Sequence, residues 1–104
     1  MNSAALEAVV AADGGWVDAS PAFRQLVGLP DGVEPSGTLF EVVHPESEAL
    51  TRRVVSGESA IRDGFRCRLV LADASSAWTY VRHARASERE DGMAVERVYL
   101  TFSP

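Results

Sequence analysis

Ser20-Pro21-Ala22-Phe23-Arg24-Gln25-Leu26-Val27-Gly28-Leu29-Pro30 encodes a short helix with both of its ends written into the sequence. Ser20 is placed as the N-cap, because its hydroxyl accepts from a first-turn amide that has no partner inside the helix. Pro21 takes the first helical position, where a missing N–H costs nothing. Gly28 suits the left-handed residue just past the helix, and Pro30 stops the helix from resuming. Between these signals Phe23, Leu26 and Val27 form an apolar stripe at i, i+3, i+4 that faces a core. After an intervening loop, His44-Pro45-Glu46 opens another helical segment.

Upstream, residues 6–11 (Leu-Glu-Ala-Val-Val-Ala) read as a strand. Asp13-Gly14-Gly15 supplies a tight turn, and Trp16-Val17-Asp18 returns. Downstream, residues 31–37 form a loop rich in Gly and Pro. Thr38 with Glu41 three residues on predicts a capping box and a second short helix, carrying Leu39, Phe40, Val42 and Val43. His44-Pro45 interrupts it, since a proline drives the residue before it out of helical angles. A longer helix follows over Glu46–Ser56, with Leu50 and Val54 on one face and Gly57 closing it.

The C-terminal half is β. Phe65, Cys67, Leu69 and Leu71 alternate with Arg66 and Arg68, a period of two. A turn at Asp73–Ser76 leads to a strand over Trp78–Ala86. A polar turn over Ser87–Gly92 precedes a last strand over Ala94–Phe102. The order ββ-ααα-βββ predicts an α+β fold: a five-stranded antiparallel sheet with short helices on one face.

At 104 residues the chain is one domain, 1–104, large enough for a single core. A net charge of −5 argues against nucleic acid or an anionic membrane surface as partner, since both need a basic footprint. Arg62, Arg66, Arg68, Arg82 and Arg85 are nonetheless close enough in sequence for a local basic face. The one cysteine, Cys67, and two isolated histidines make neither a disulfide nor a metal-ligand spacing. No apolar run reaches the roughly 20 residues that span a bilayer. Met1–Ala5 has no basic leader segment, so a cytoplasmic domain is the expectation.

The order of elements and their motifs resemble a PAS domain over residues 5–102, closest to a subgroup with a tryptophan in the fourth strand. Ser20-Pro21-Ala22-Phe23 is similar to the family's Asn-Pro-Ala-Phe, and Leu26-Val27-Gly28-Leu29 to its Leu-x-Gly-Tyr. Residues 39–46 (Leu-Phe-Glu-Val-Val-His-Pro-Glu) resemble its "LFelvHPdD" motif, and Ser56-Gly57-Glu58 the "sGe" that ends the longer helix. Trp78 follows Arg68 as the subgroup's tryptophan follows its Glu-x-Arg. Three departures stand out. Arg66 replaces the glutamate of that motif, so its short Glu–Arg pair is expected to be missing. Asp73-Ala74 replaces Asp-Gly in the next turn. Phe102-Ser103-Pro104 stands where the family has the Asp-Ile-Thr that couples the sheet to a downstream helix.

The resemblance implies a non-catalytic sensory or regulatory domain of bacterial signal transduction, from a histidine kinase or a cyclic-dinucleotide enzyme. It implies a homodimer formed through the apolar face of the sheet. It also implies a small apolar ligand, in a pocket lined by Phe23, Leu26, Phe40, Val43, Leu50, Val54, Leu69 and Trp78. No cofactor is expected. Cys67 lacks the helical Asn-Cys-Arg-Phe-Leu-Gln run of flavin-binding relatives and reads as a core thiol. His44 reads as a cap or loop contact before Pro45 rather than a haem ligand, and His83 as a surface or satisfied histidine. No nucleophile–base pairing, phosphate loop or telling carboxylate pair is present. Two rival readings remain: an interaction module with a filled core and no ligand, and a cone-shaped α+β isomerase. The latter requires Asp18 or Asp63 to be buried against an apolar cavity.

Overall fold

The computed structural model describes residues 4–59 and 61–104; the reading of Met1–Ser3 as lacking a leader lies outside the described residues. In chain order the elements are β1 (Leu6–Val10), β2 (Trp16–Ala19), α1 (Pro21–Val27), a 3-10 turn (Leu39–Val42) and α2 (Pro45–Ser56). They are followed by β3 (Phe65–Val70), β4 (Ser76–Glu90) and β5 (Met93–Ser103). The strands form one sheet in the order β2-β1-β5-β4-β3, antiparallel throughout. The first and last strands therefore lie side by side at its centre.

Helix α1 forms where its punctuation places it. Ser20 Oγ accepts from the Phe23 amide at 3.3 Å and from the Glu7 amide at 3.0 Å, and donates to the Ala5 carbonyl at 2.6 Å. One hydroxyl thus caps the helix and fastens it to β1. Gly28 and Gly57 end the two helices in the left-handed conformation. His44 is the N-cap of α2: its Nδ1 accepts from the Glu46 amide at 3.1 Å. A cap is the role the sequence implied.

The predicted helix from Thr38 is instead a single 3-10 turn, and the capping box is not made. Val43 is already extended ahead of His44-Pro45, so only four residues are free to turn. Glu41 donates its amide to the Thr38 carbonyl, and its carboxylate folds back over Gly37, where a Cβ would lie 2.5 Å from Oε1.

The core fills the space between the inner face of the sheet and the helices. Ala8, Val10, Phe65, Cys67, Leu69, Val81, Val98, Leu100 and Phe102 come from the strands at every second position. Phe23, Val27, Val54 and Val55 come from the helices, and Leu39, Phe40, Val42 and Val43 from the turn region. Phe23 is the hub: its ring lies 4.9 Å from that of Phe102 and 6.0 Å from that of Trp16. Gly14 shows why the β1–β2 turn needs glycine. Its φ is +88°, and a Cβ there would sit 2.2 Å from the Phe40 ring.

The β4–β5 hairpin departs from the predicted boundaries. Ser87–Glu90 continue the strand, and only Asp91-Gly92 turn, with φ of 53° and 79°. Two successive positive φ values define the two-residue turn that matches strand twist, and Asp-Gly is its favoured pair. Beyond Arg82 on β4 and Val98 on β5 the two strands pair only with each other, a two-stranded ribbon that extends past the body of the sheet.

Candidate functional site

Seven of the eight predicted pocket residues converge on the core. Phe23, Phe40, Val43, Val54 and Leu69 are buried, and Leu26 and Leu50 pack half-exposed against them. Trp78 does not join them. Thr79 and Val81 point inward from β4, so the period of two sends Trp78 to the opposite face, where it is 42% exposed. The expected lining is corrected at that position.

A polar seam runs through the same core between α2 and β3. Thr51 Oγ1 donates to the Ser47 carbonyl at 2.7 Å and lies 3.6 Å from Cys67 Sγ. Ser47 Oγ accepts from the Arg68 amide at 2.9 Å, and Thr79 Oγ1 donates to the Cys67 carbonyl at 2.8 Å. Every polar group in the seam has a partner. Burial pushes the Cys67 thiol above its usual range, opposed in part by the Thr51 hydroxyl, so Cys67 is an unreactive core thiol.

Two other buried polar atoms differ. Trp16 Nε1 and His83 Nε2 are shielded from solvent and have no hydrogen-bond partner among the described residues. Trp16 leans on Phe23, and the His83 ring lies 6.2 Å from Phe65. Buried nitrogens are rarely left unpaired, because the desolvation cost then goes unrecovered. His83, expected to be a surface or satisfied histidine, is corrected: its ring is half-buried and its Nε2 has no partner among the described residues.

The outer face of the sheet is the other candidate surface. The apolar face expected to pair two copies is the inner one, and it is buried under α1 and α2. What the sheet leaves free is mixed. The Arg66 and Arg68 guanidiniums lie 5.0 Å and 5.9 Å from the centre of the Trp78 ring. Arg68 is further held by Ser76 Oγ at 2.8 Å and by Glu46 at 2.9 Å. Glu46 on α2 thus supplies the carboxylate that Arg66 displaces from β3. Tyr80 and Tyr99 are also exposed on this face, and Tyr99 hydrogen-bonds Glu88, which holds its phenol above the usual tyrosine range.

At the far edge an open cleft of about 430 Å³ lies between β2 and α1. Arg24 builds its wall, donating to the carbonyls of Ala19 (2.9 Å), Pro30 (3.0 Å) and Val33 (2.5 Å) and pairing with Asp18 at 3.3 Å. Its donors are committed to holding the loop. The Asp18 side chain is 70% exposed and Asp63 is exposed, so neither offers the buried carboxylate that the isomerase reading requires. Among the described residues the polar or charged ones buried as whole residues are Ser47, Thr51 and Thr79, and none of them is a carboxylate. Among the same described residues no group of three or more metal-ligating side chains occurs, and no helix is long and apolar enough to cross a membrane.

Among solved structures the chain is similar to the PAS domain of an HTR-like protein from Haloarcula marismortui. The match has a TM-score of 0.75 and covers 97% of this chain and 81% of that one, at 20% identity. The fold is that of a PAS domain. No family model and no curated protein matches the sequence. Within the PAS fold, the seven converging side chains, Trp16 and His83 occupy the space between sheet and helices, and Trp78 and the arginines lie on the sheet's open side.

Proposed function

We propose that this PAS-fold domain is a non-catalytic sensory module of a bacterial signal-transduction protein, a histidine kinase or a cyclic-dinucleotide enzyme. It works in the cytoplasm, as a homodimer paired through the sheet. A small apolar ligand entering between sheet and helices biases two packings of those layers, and the attached output element reads the shift. The observation that carries the ligand reading is the pair of unpartnered buried nitrogens, Trp16 Nε1 and His83 Nε2, beside Phe23 and Phe65. A ligand with polar groups that meet them recovers their desolvation cost. The PAS domain of the HTR-like protein supports the signalling context.

The second reading, an interaction module with no ligand, draws support from the packing. Phe23, Val54 and Leu69, the centre of the expected pocket, are 0–3% exposed and in contact with their neighbours in one cluster. Extraction of the purified protein followed by mass spectrometry separates the two. A stoichiometric small molecule, lost in Trp16→Phe and His83→Phe variants that still fold, is the outcome expected for a sensor. An empty extract with unchanged stability in both variants leaves the interaction module standing.

A further inference from the structure

The outward residues of β4 run Trp78, Tyr80, Arg82, Ala84, Ala86, Glu88, Glu90, and their charge changes sign along the strand. Arg66 and Arg82, at one end, have no ion-pair partner among the described residues. At the other end Glu88 and Glu90 flank Arg97, and Asp91 follows in the turn, so that end is net negative. Ala84 stands midway between Trp78 and Glu90, and its small side chain, opposite Tyr99, lets another surface approach closely.

We infer that the second copy of the homodimer proposed above seats in one register. Its β4 crosses antiparallel over the first, with the two-fold axis at Ala84. Each outward residue then faces the one equally far beyond Ala84. Tyr80, with Arg66 beside it across the β3–β4 pairing, meets Glu88 of the partner subunit. Trp78 meets Glu90 of the partner subunit, and Arg82 lies one step from the partner's Glu88. A two-fold axis running along the strands brings the two arginine ends together instead, and like-charge contact disfavours it. The inference rests on the homodimer reading and adds its geometry.

Sedimentation velocity tests it on the intact chain. The wild type is expected to dimerise, with a dissociation constant that rises at least tenfold between low and high salt. The doubles Arg66→Glu/Arg82→Glu and Glu88→Arg/Glu90→Arg are each expected to be monomeric. Their equimolar mixture is expected to dimerise, since a predominantly acidic face then meets a predominantly basic one. Spin labels on Ala84→Cys and Glu90→Cys provide a measurement that reverses no cluster of charges, and Cys67 is buried away from the label. At roughly 3.3 Å per residue, the partner labels at position 90 are about 40 Å apart along the strand, and those at 84 face each other. A wild type that stays monomeric at every concentration overturns both the register and the homodimer. A dimer indifferent to charge reversal and unrescued by mixing, or with labels closer at 90 than at 84, overturns the register and leaves the homodimer intact.

Discussion

The two ends of the β4–β5 hairpin are made of the same strands by different physics. From Ser76 to His83, with Leu100 to Ser103 opposite Tyr80 to His83, alternate side chains enter the core; Thr79, Val81, Leu100 and Phe102 are all but inaccessible. From Ala84 to Arg97 the ribbon holds no buried residue, and one tether links it to the helices. Arg85 donates from Nη2 to the Val54 and Val55 carbonyls at the end of α2, at 2.8 Å and 2.7 Å, and from Nη1 to Glu96 at 2.6 Å. The rest is held by the Asp91-Gly92 turn and by Arg97 between Glu88 and Glu90. Burial makes strand structure nearly obligatory at one end; at the other, turn geometry and a few charges must do it.

The contrast is broken most severely from the core side. Phe23→Ala is expected to cost about 3–5 kcal/mol, the range for emptying a buried aromatic site, and chemical denaturation should show the whole sheet lost cooperatively. Arg85→Ala removes the tether, strips the Val55 carbonyl of its donor and leaves the Val54 carbonyl with the Gly57 amide. The expected cost is about 1–3 kcal/mol, with faster amide exchange in the last turn of α2 as the local sign; unchanged exchange there would rule the tether out. Gly92→Ala forces a side chain into a left-handed turn, for about 1 kcal/mol. That loss should register as ribbon exchange before any change in the core. Glu90→Gln weakens one exposed pair and is expected to cost less than about 0.5 kcal/mol, with the difference vanishing in high salt.

The gentlest probe is alkaline pH. Glu88 accepts from the Tyr99 phenol and raises its pKa, so the protonated form is favoured in the folded state. That contribution is fully present below the ordinary tyrosine value of 10.0 and is lost as pH climbs through the raised one. A spectroscopic titration should find one tyrosine ionising late, and Tyr99→Phe should abolish it.

The helices were legible because their ends are local chemistry. Ser20, Gly28, His44 and Gly57 each cap a helix through groups within a few residues of themselves, and each does what its type and spacing imply. Thr38 and Glu41 carry the same kind of signal, yet the proline two residues past Val43 leaves no room for a helix turn, and the local rule yields. The ribbon was truncated in the reading at Ala86 because alternation reports burial, and Ser87–Glu90 bury nothing; the Asp91-Gly92 pair was the better guide. Trp78 was misassigned because a strand's two faces are equivalent in a sequence until the core side is known. Arg24 and Arg85 were invisible as organisers, since both act on carbonyls of other segments that only the fold brings near.

The same ribbon bears on how the protein survives crowding. Past Arg82 and Val98 it presents two open strand edges, rows of amides and carbonyls able to accept a further strand from any neighbour. A strand added there must lie against Glu88, Arg89 and Glu90 on one side or Glu96 and Arg97 on the other. Any newcomer that does not match this alternation of sign pays for it. The charges that contribute little to stability therefore act as a filter, admitting few strands and turning back the apolar ones from which fibrils grow.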